Sequence, residues 1–321
     1  MINIKDIAKL AGVSYSTVSK ALNGSSLVKP ATKSKILEIA EKYGYQKNLL
    51  ATQLVSGRSR LVGFVVDNVR NPIFAHMAND LHLELQNHDY HMLLAISPDG
   101  VELLNQLRVE GIIIWGDLIH SDPDFLKRFH DLNVPGFILG TDEVLRIPHI
   151  LIDRKACIHE AVRYLIAHGH RKIGFVGGSQ EIKVNAFREA ISEMGLETSE
   201  DWLIPADSTW EGGYRVIRDY AFHKESPTAF IGLNNLITKG VLRALLERGF
   251  SVPADISLVG YDNLPELKNA EVPLTTVGPS LEEMVSKSVS LLQTLIERPG
   301  NALPVVLKPA LVERASVGPR R

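Results

Sequence analysis

Cysteine is almost missing from this chain: Cys157 stands alone. Without a second thiol no intramolecular disulfide can form, so stability must come from burial, which suits a reducing compartment. Long apolar runs are missing too. The longest, such as Gly111–Gly116, fall far short of the about 20 residues a membrane-spanning helix needs. The opening Met1-Ile2-Asn3-Ile4-Lys5-Asp6 is broken by Lys5, Asp6 and Lys9 and reads as no signal peptide. A cytoplasmic protein is therefore expected. Catalytic signatures are equally sparse: no Gly-x-Gly-x-x-Gly follows the first strand pattern, and neither a P-loop nor a Gly-x-Ser-x-Gly elbow occurs. Gly174-Phe175-Val176-Gly177-Gly178 is rich in glycine but fits neither phosphate-binding spacing. His168-x-His170 lacks a neighbouring cysteine or carboxylate and reads as a structural loop rather than a metal site. Cys157 falls on a helical apolar pattern, as a packed thiol rather than a nucleophile. An enzyme is not expected, nor a cofactor or metal.

What is present is ordinary in amount and unusual in arrangement. At 321 residues, 45% hydrophobic and 22% charged, the chain can build two or three units with real cores. The net charge of −2 conceals a split. Residues 1–60 carry ten lysines and arginines against three carboxylates, a balance of +7. The other 261 residues carry 25 against 34, a balance of −9. A small basic head on an acidic body reads as a polyanion-binding module joined to something else.

Within the head, apolar residues recur at Ile4, Ile7, Ala8 and Ala11, at Val18, Ala21 and Leu22, and at Ile36, Ile39, Ala40 and Tyr43. Each set has helical spacing, so three short amphipathic helices are predicted. Asn3 can cap the first, with Asp6 three residues on. Gly12-Val13-Ser14 breaks it, and Ser14 can cap the second; Pro30 suits the start of the third and Gly44 its end. Two helices joined by a tight Gly-containing turn form a helix-turn-helix, whose second helix enters the major groove. Tyr15, Ser16, Thr17, Ser19 and Lys20 would then offer hydroxyls and a cation to bases and phosphates.

The run Asn3-Ile4-Lys5-Asp6-Ile7-Ala8-Lys9-Leu10-Ala11-Gly12-Val13-Ser14-Tyr15-Ser16-Thr17-Val18-Ser19 resembles the head of the LacI–GalR family of bacterial repressors. So do Ala21-Leu22-Asn23-Gly24, Lys42-Tyr43-Gly44-Tyr45 and Asn48. The resemblance implies that Tyr15, Ser16 and Lys20 read an operator, with Thr17, Ser19 and Asn23 beside them. Lys20 departs from the family's usual arginine and lacks the planar bidentate fork. Residues 47–59 match a hinge helix and linker, in which Asn48, Ala51 and Leu54 would meet DNA. Leu54 would be the minor-groove wedge, its plainer reading being an ordinary packing leucine. Lys47 stands where the family usually has proline.

Beyond Ser59 the pattern changes to short apolar runs separated by amphipathic stretches. Strands are predicted at Leu61–Val66, His91–Ile96, Gly111–Trp115, Val134–Leu139, Lys172–Val176, Ala229–Leu233 and Ser257–Gly260. Helical patterns include Ile73–Asn87, Ala156–His168, Lys183–Met194, Gly213–His223 and Ile237–Arg248. Alternating β and α units predict doubly wound parallel sheets, and the length favours two lobes. The resemblance continues through Asn71-Pro72-Ile73-Phe74, the Leu165–Ile173 stretch, Val259-Gly260-Tyr261-Asp262 and Pro273-Leu274-Thr275-Thr276-Val277. It implies an α/β body like a periplasmic binding protein. The expected domains are a helix-turn-helix head over 1–46, the linker over 47–59 and an effector-binding and dimerisation domain over 60–321. Within that body, one lobe would take about 60–151 and 281–305, the other about 152–280 and 306–321.

In the cleft between lobes, Asp262 matches the family's effector-binding aspartate, against a plain turn aspartate as the alternative. Lys183 stands where the family usually has arginine, and Asn235 where it usually has aspartate. Phe74 or Trp210 could stack on a sugar face, and Asn71 and Asp153 are further candidates. The segment 97–110 is about ten residues shorter than usual in the family. By resemblance, the chain would bind palindromic double-stranded operator DNA as a homodimer and repress transcription under control of a small effector, a sugar or sugar derivative. A phosphocarrier co-repressor stays open as a further partner. An exported solute-binding protein would share the body, but not the head.

Overall fold

The computed structural model describes residues 2–22, 24–45, 57–96, 100–121, 125–132, 134–178, 181–300 and 303–320. Its chain separates into two compact units, residues 1–59 and 60–321.

In the first unit, α1 (Ile4–Ala11), α2 (Tyr15–Leu22) and α3 (Pro30–Lys42) form where the capping residues place them. Asn3 Oδ1 accepts from the amides of Lys5 and Asp6 at 2.9 and 3.2 Å. Asp6 Oδ2 accepts the Asn3 amide in return at 3.0 Å, so orphan donors are satisfied reciprocally. Gly12 ends α1 at φ +71°, a left-handed conformation that favours glycine. Ser14 Oγ accepts the Thr17 amide at 3.1 Å and opens α2. Ile7, Ala8, Ala11, Val18, Ala21, Val28, Ile36 and Ala40 meet in a small core.

The second unit holds two six-stranded sheets. Its strands are β1 (Leu61–Val66), β2 (His91–Ile96), β3 (Gly111–Trp115), β4 (Gly136–Thr141), β5 (His149–Ile152), β6 (Ile173–Val176), β7 (Leu203–Ile204), β8 (Ala229–Gly232), β9 (Ser257–Tyr261), β10 (Thr275–Gly278), β11 (Val305–Leu307) and β12 (Ala310–Val312). The N-lobe sheet runs β11-β5-β4-β3-β1-β2 and the C-lobe sheet β12-β10-β9-β8-β6-β7. All pairings are parallel except that of β12 with β10. The helices are α4 (Pro72–Gln86), α5 (Gly100–Gln106), α6 (Leu118–Ser121), α7 (Phe125–Asp131), α8 (Arg154–Ala167), α9 (Glu181–Glu193), α10 (Trp210–Asp219), α11 (Asn235–Glu247), α12 (Pro265–Lys268) and α13 (Leu281–Glu297). They cover the sheet faces, so central strands such as β3, β4, β6, β8 and β9 are buried along their whole length. The chain passes between lobes three times, after β5, after β10 and after β11.

Several strand ends differ from the sequence expectation. β4 starts at Gly136 because Pro135 has no N–H to pair, and its carbonyl instead accepts from Ile112 at 2.9 Å. β10 and β12 are short, and β10 opens on two threonines. Their pairing is backed by the Thr275 amide donating to Ser316 Oγ at 2.8 Å and by the Arg314 amide donating to Thr275 Oγ1 at 2.9 Å. α10 begins at Trp210, capped by Thr209, three residues before the predicted start. It packs closely on α11: a Cβ on Gly240 would lie 2.1 Å from the Trp210 carbonyl oxygen, so only glycine fits.

His170 is a structural clamp. Its Nδ1 lies 2.9 Å from Thr228 Oγ1, and its Nε2 lies 2.9 Å from Ser257 Oγ and 3.2 Å from the Gly318 carbonyl. The ring thereby fixes the chain's last described segment to β8 and β9.

Candidate functional site

Two surfaces carry chemistry, one on each unit. On the head, α2 buries Val18 and Ala21 and turns Tyr15, Ser16 and Lys20 outward. Thr17 and Ser19 are half-buried between these faces. The Ser14 and Thr17 hydroxyls bond each other at 2.8 Å, so Thr17 belongs partly to the helix cap. Lys33 and Lys35 donate to the carbonyls of Gly24 and Ala11 at 3.2 and 3.0 Å and brace the helix ends. Lys20 has no such partner among the described residues and is an exposed cation beside two hydroxyls. Asn23, Asn48, Ala51 and Leu54 lie outside the described residues, as does Lys47.

On the body, a cleft partly open to solvent lies where the strand carboxyl ends of both lobes meet. Its wall includes Asn71, Phe74, Trp115, Asp117, Arg154, Lys183, Tyr261 and Asp262. Phe74 and Trp115 meet edge to face at 5.2 Å and form an aromatic wall. Trp115 is buried, and its Nε1–H has no partner among the described residues.

Charges of both signs stand opposite that wall. Lys183 is 3% exposed; its ammonium donates to the Leu233 carbonyl at 2.9 Å and lies 3.3 Å from the Tyr261 ring centroid. Burial pulls its pKa down to about 8, against the attraction of Asp262. Burial also opposes the Arg154 charge, but Tyr261, Asp142 and Asp117 outweigh it and leave that pKa raised. Arg154 pairs with Asp142 and donates to the Gly140 carbonyl at 2.9 Å, anchoring the start of α8 to the N-lobe. Cys157, beneath Tyr261, is pushed up to about 11 by burial, so this thiol stays protonated and inert.

Of the residues singled out in the sequence, Asn71, Phe74, Lys183 and Asp262 converge on the cavity wall. Asn235 stands behind it, donating to both Asn71 and Asp262. Asp262 holds φ at +70°, a sparsely populated conformation for a non-glycine residue at a site that orients its carboxylate. Two candidates stand apart from the wall. Asp153 spends Oδ1 on capping α8 through the Ala156 amide at 2.8 Å. Trp210, as the first residue of α10, stacks on Tyr214 at 5.1 Å along its own helix. Trp115, Asp117, Arg154 and Tyr261 were not singled out, although each sits at or just past the end of an N- or C-lobe strand. That position was the available signal.

His159, Glu189 and Glu193 also bring donor atoms within 4.8 Å of one another on α8 and α9, the one such group among the described residues. Lys155 already pairs with Glu189 at 2.5 Å there, so the cluster is a surface ion-pair network.

Comparison with known proteins bears on both surfaces. Residues 3–48 match the family described as bacterial regulatory proteins, lacI family. Residues 162–317 match a periplasmic binding protein-like domain. Catabolite control protein A of Priestia megaterium is 29% identical over 309 residues, covering 89% of this chain and 92% of its own. The HTH-type transcriptional repressor PurR of Pasteurella multocida strain Pm70 is 28% identical and matches over the full length of both chains. Among solved structures, the lac repressor dimer bound to operator and the anti-inducer ONPF superposes with a TM-score of 0.83. It covers 99% of each chain at 23% identity, a shared fold.

Proposed function

As a member of the LacI family of bacterial regulatory proteins, the chain is a DNA-binding transcriptional regulator, and we propose that it represses transcription as a homodimer on a near-palindromic operator, under control of a polyhydroxylated ligand held between its lobes. The observation that carries the ligand reading is the cavity wall itself. A carboxylate, Asp262, and a buried ammonium, Lys183, stand within one pocket opposite the aromatic pair Phe74 and Trp115. Hydroxyls can donate to the first and accept from the second, while the apolar face of a sugar ring packs on the aromatics. The Trp115 Nε1–H, without a partner among the described residues, supplies one more donor for a hydroxyl oxygen.

The DNA reading is supported by α2, where Tyr15, Ser16 and Lys20 are exposed together on a helix whose other face is core. The homodimer is supported by β2, an edge strand that among the described residues pairs with β1 alone. Leu94 and Ile96 on that strand are 44% and 52% exposed, and Leu83 and Leu103 on the flanking α4 and α5 are exposed as well. Such an apolar edge needs a cover. A second copy supplies one by two-fold symmetry, and the same symmetry sets two heads on two half-sites. A cytoplasmic location fits the DNA target. No helix among the described residues is long and apolar enough to cross a membrane.

The test has two parts. Selection from random duplex DNA should return a palindrome, and a Tyr15→Ala, Lys20→Ala double variant should lose it while keeping the body's melting transition. A thermal-shift screen against sugars, sugar acids and sugar phosphates should give a stabilising hit that Asp262→Ala abolishes. A ligand at a hundred times its dissociation constant stabilises by about 2.7 kcal/mol, readily visible in such a screen. A screen silent across all three classes, with DNA selection intact, would leave a regulator without this effector.

A further inference from the structure

The two lobes are tied across the cleft by side chains of this chain. Asn71 caps α4 in the N-lobe, where its Oδ1 accepts the Ile73 amide at 3.2 Å. The same oxygen accepts Nδ2 of Asn235, from the C-lobe, at 2.9 Å. Asn235 Nδ2 also donates to Asp262 Oδ2 at 3.0 Å. A primary amide carries two such donors, and both are used here on partners in opposite lobes. Asn235 is 2% exposed, so water does not compete for these bonds. The cap holds the Asn71 oxygen in place, and the left-handed backbone at Asp262 sets its carboxylate opposite.

Two more contacts cross the cleft around this bridge. Toward the rim, His76 Nε2 on α4 lies 2.9 and 3.1 Å from the two carboxylate oxygens of Glu266 on α12. Deeper in, Leu264, which leads into α12, is 2% exposed within the N-lobe cluster that holds Phe74, Trp115 and Met284. An amide bridge, a histidine–carboxylate hydrogen bond and an apolar peg thus share one seam.

We propose that Asn235 is the centre of an internal latch that closes the two lobes with the chain's own groups. Closure is then the resting state of this regulator. Under the ligand-cleft reading above, on which this one consequence rests, a ligand acts by competing with Asn235 for Asp262 rather than by drawing the lobes together. The amide is essential to the latch. A carboxylate at this position would set three acceptors against one another: its own oxygens, Asp262 and the Asn71 carbonyl.

The latch is tested on the protein alone by measuring one distance across the seam. Spin labels go on Val69→Cys and Lys268→Cys, both exposed positions flanking it in opposite lobes. Cys157 is buried and does not label. Dilution with unlabelled protein isolates the distance within one chain. The latch predicts a single short, narrow distance distribution without any added ligand. Asn235→Asp should shift it to longer distances and broaden it. Asn71→Ser keeps a capping oxygen for α4 but is too short to reach Asn235, and should open the seam likewise. If Asn235→Asp fails to fold, judged by its melting transition, Asn71→Ser decides alone. A broad or long distribution in the parent, or an unchanged one in a folded variant, overturns the latch. Neither result depends on whether the ligand screen gives a hit.

Discussion

Lys183 sits with its ammonium 3.3 Å from the ring centroid of Tyr261, between that ring and the Leu233 carbonyl it donates to at 2.9 Å. The aromatic face and the carbonyl dipole replace part of the hydration the charge loses on burial. They do not replace all of it, since burial still draws the pKa down from 10.5 to about 8.

The cost of that burial has a pH signature. Between about 8 and 10.5 the unfolded chain holds a proton on Lys183 that the folded chain has released. Stability from this group therefore rises with pH across that window, by at most about 1.4 kcal/mol per pH unit. Denaturant unfolding at pH 8 and pH 10 should show a smaller rise in Lys183→Met than in the parent. Equal rises in the two proteins would mean that Lys183 is not a buried ammonium.

His170 gives the opposite exercise on the acid side. Burial lowers its pKa below 6.5, partly offset by its bond to the Gly318 carbonyl. Below about pH 6.5 the unfolded chain takes up a proton that the folded clamp refuses. Its stabilising contribution is therefore complete above that pH and lost as pH falls through and beneath it. Melting temperatures at pH 7.5 and 5.5 should differ less in His170→Gln than in the parent, although the variant starts lower.

The capping box at Asn3 makes the head separately addressable. Asn3→Ala removes the acceptor for the Lys5 and Asp6 amides and should destabilise the head by about 1 kcal/mol. Hydrogen exchange should speed up in residues 4–45 and stay unchanged in the body, because the two units are separate compact bodies. Faster exchange throughout would show that head and body unfold together.

Charges on the β2 edge test the homodimer. A Leu94→Arg, Ile96→Arg variant places like charges across a two-fold axis twice over. Sedimentation should then report a monomer whose body melts as a folded domain. Operator binding should lose about half of its salt dependence, since one head rather than two releases counterions. A variant that still sediments as a dimer would move the interface elsewhere.

The head was legible because its signals are local. Asn3, Gly12, Ser14 and Pro30 each act within a turn of their own position, and the structure uses each as the spacing predicts. The leading strands were legible for a related reason: β1 and β3 span the residues of their apolar runs, since sheets covered on both faces demand continuous burial, while β2 keeps its apolar run as a partly exposed edge strand. β5, β7, β11 and β12 gave no such run. They are two to four residues long and exist because a neighbour supplies their hydrogen bonds.

The cleft divides along the same line. Asp262 and Lys183 could be singled out by resemblance. The partnership of Lys183 with Tyr261, the joining of Asn235 to Asn71 over 164 residues and the withdrawal of Trp210 onto Tyr214 could not. The sequence by itself determined the basic reading head, the alternating β and α units of the body and the residue types available to a ligand. Those depend on periodicity, capping and charge, which act between near neighbours in the chain. Only the tertiary structure decided which of those groups face the cavity and which are spent on each other. Hydrogen bonds and burial between residues far apart in the chain are fixed only when the two lobes pack.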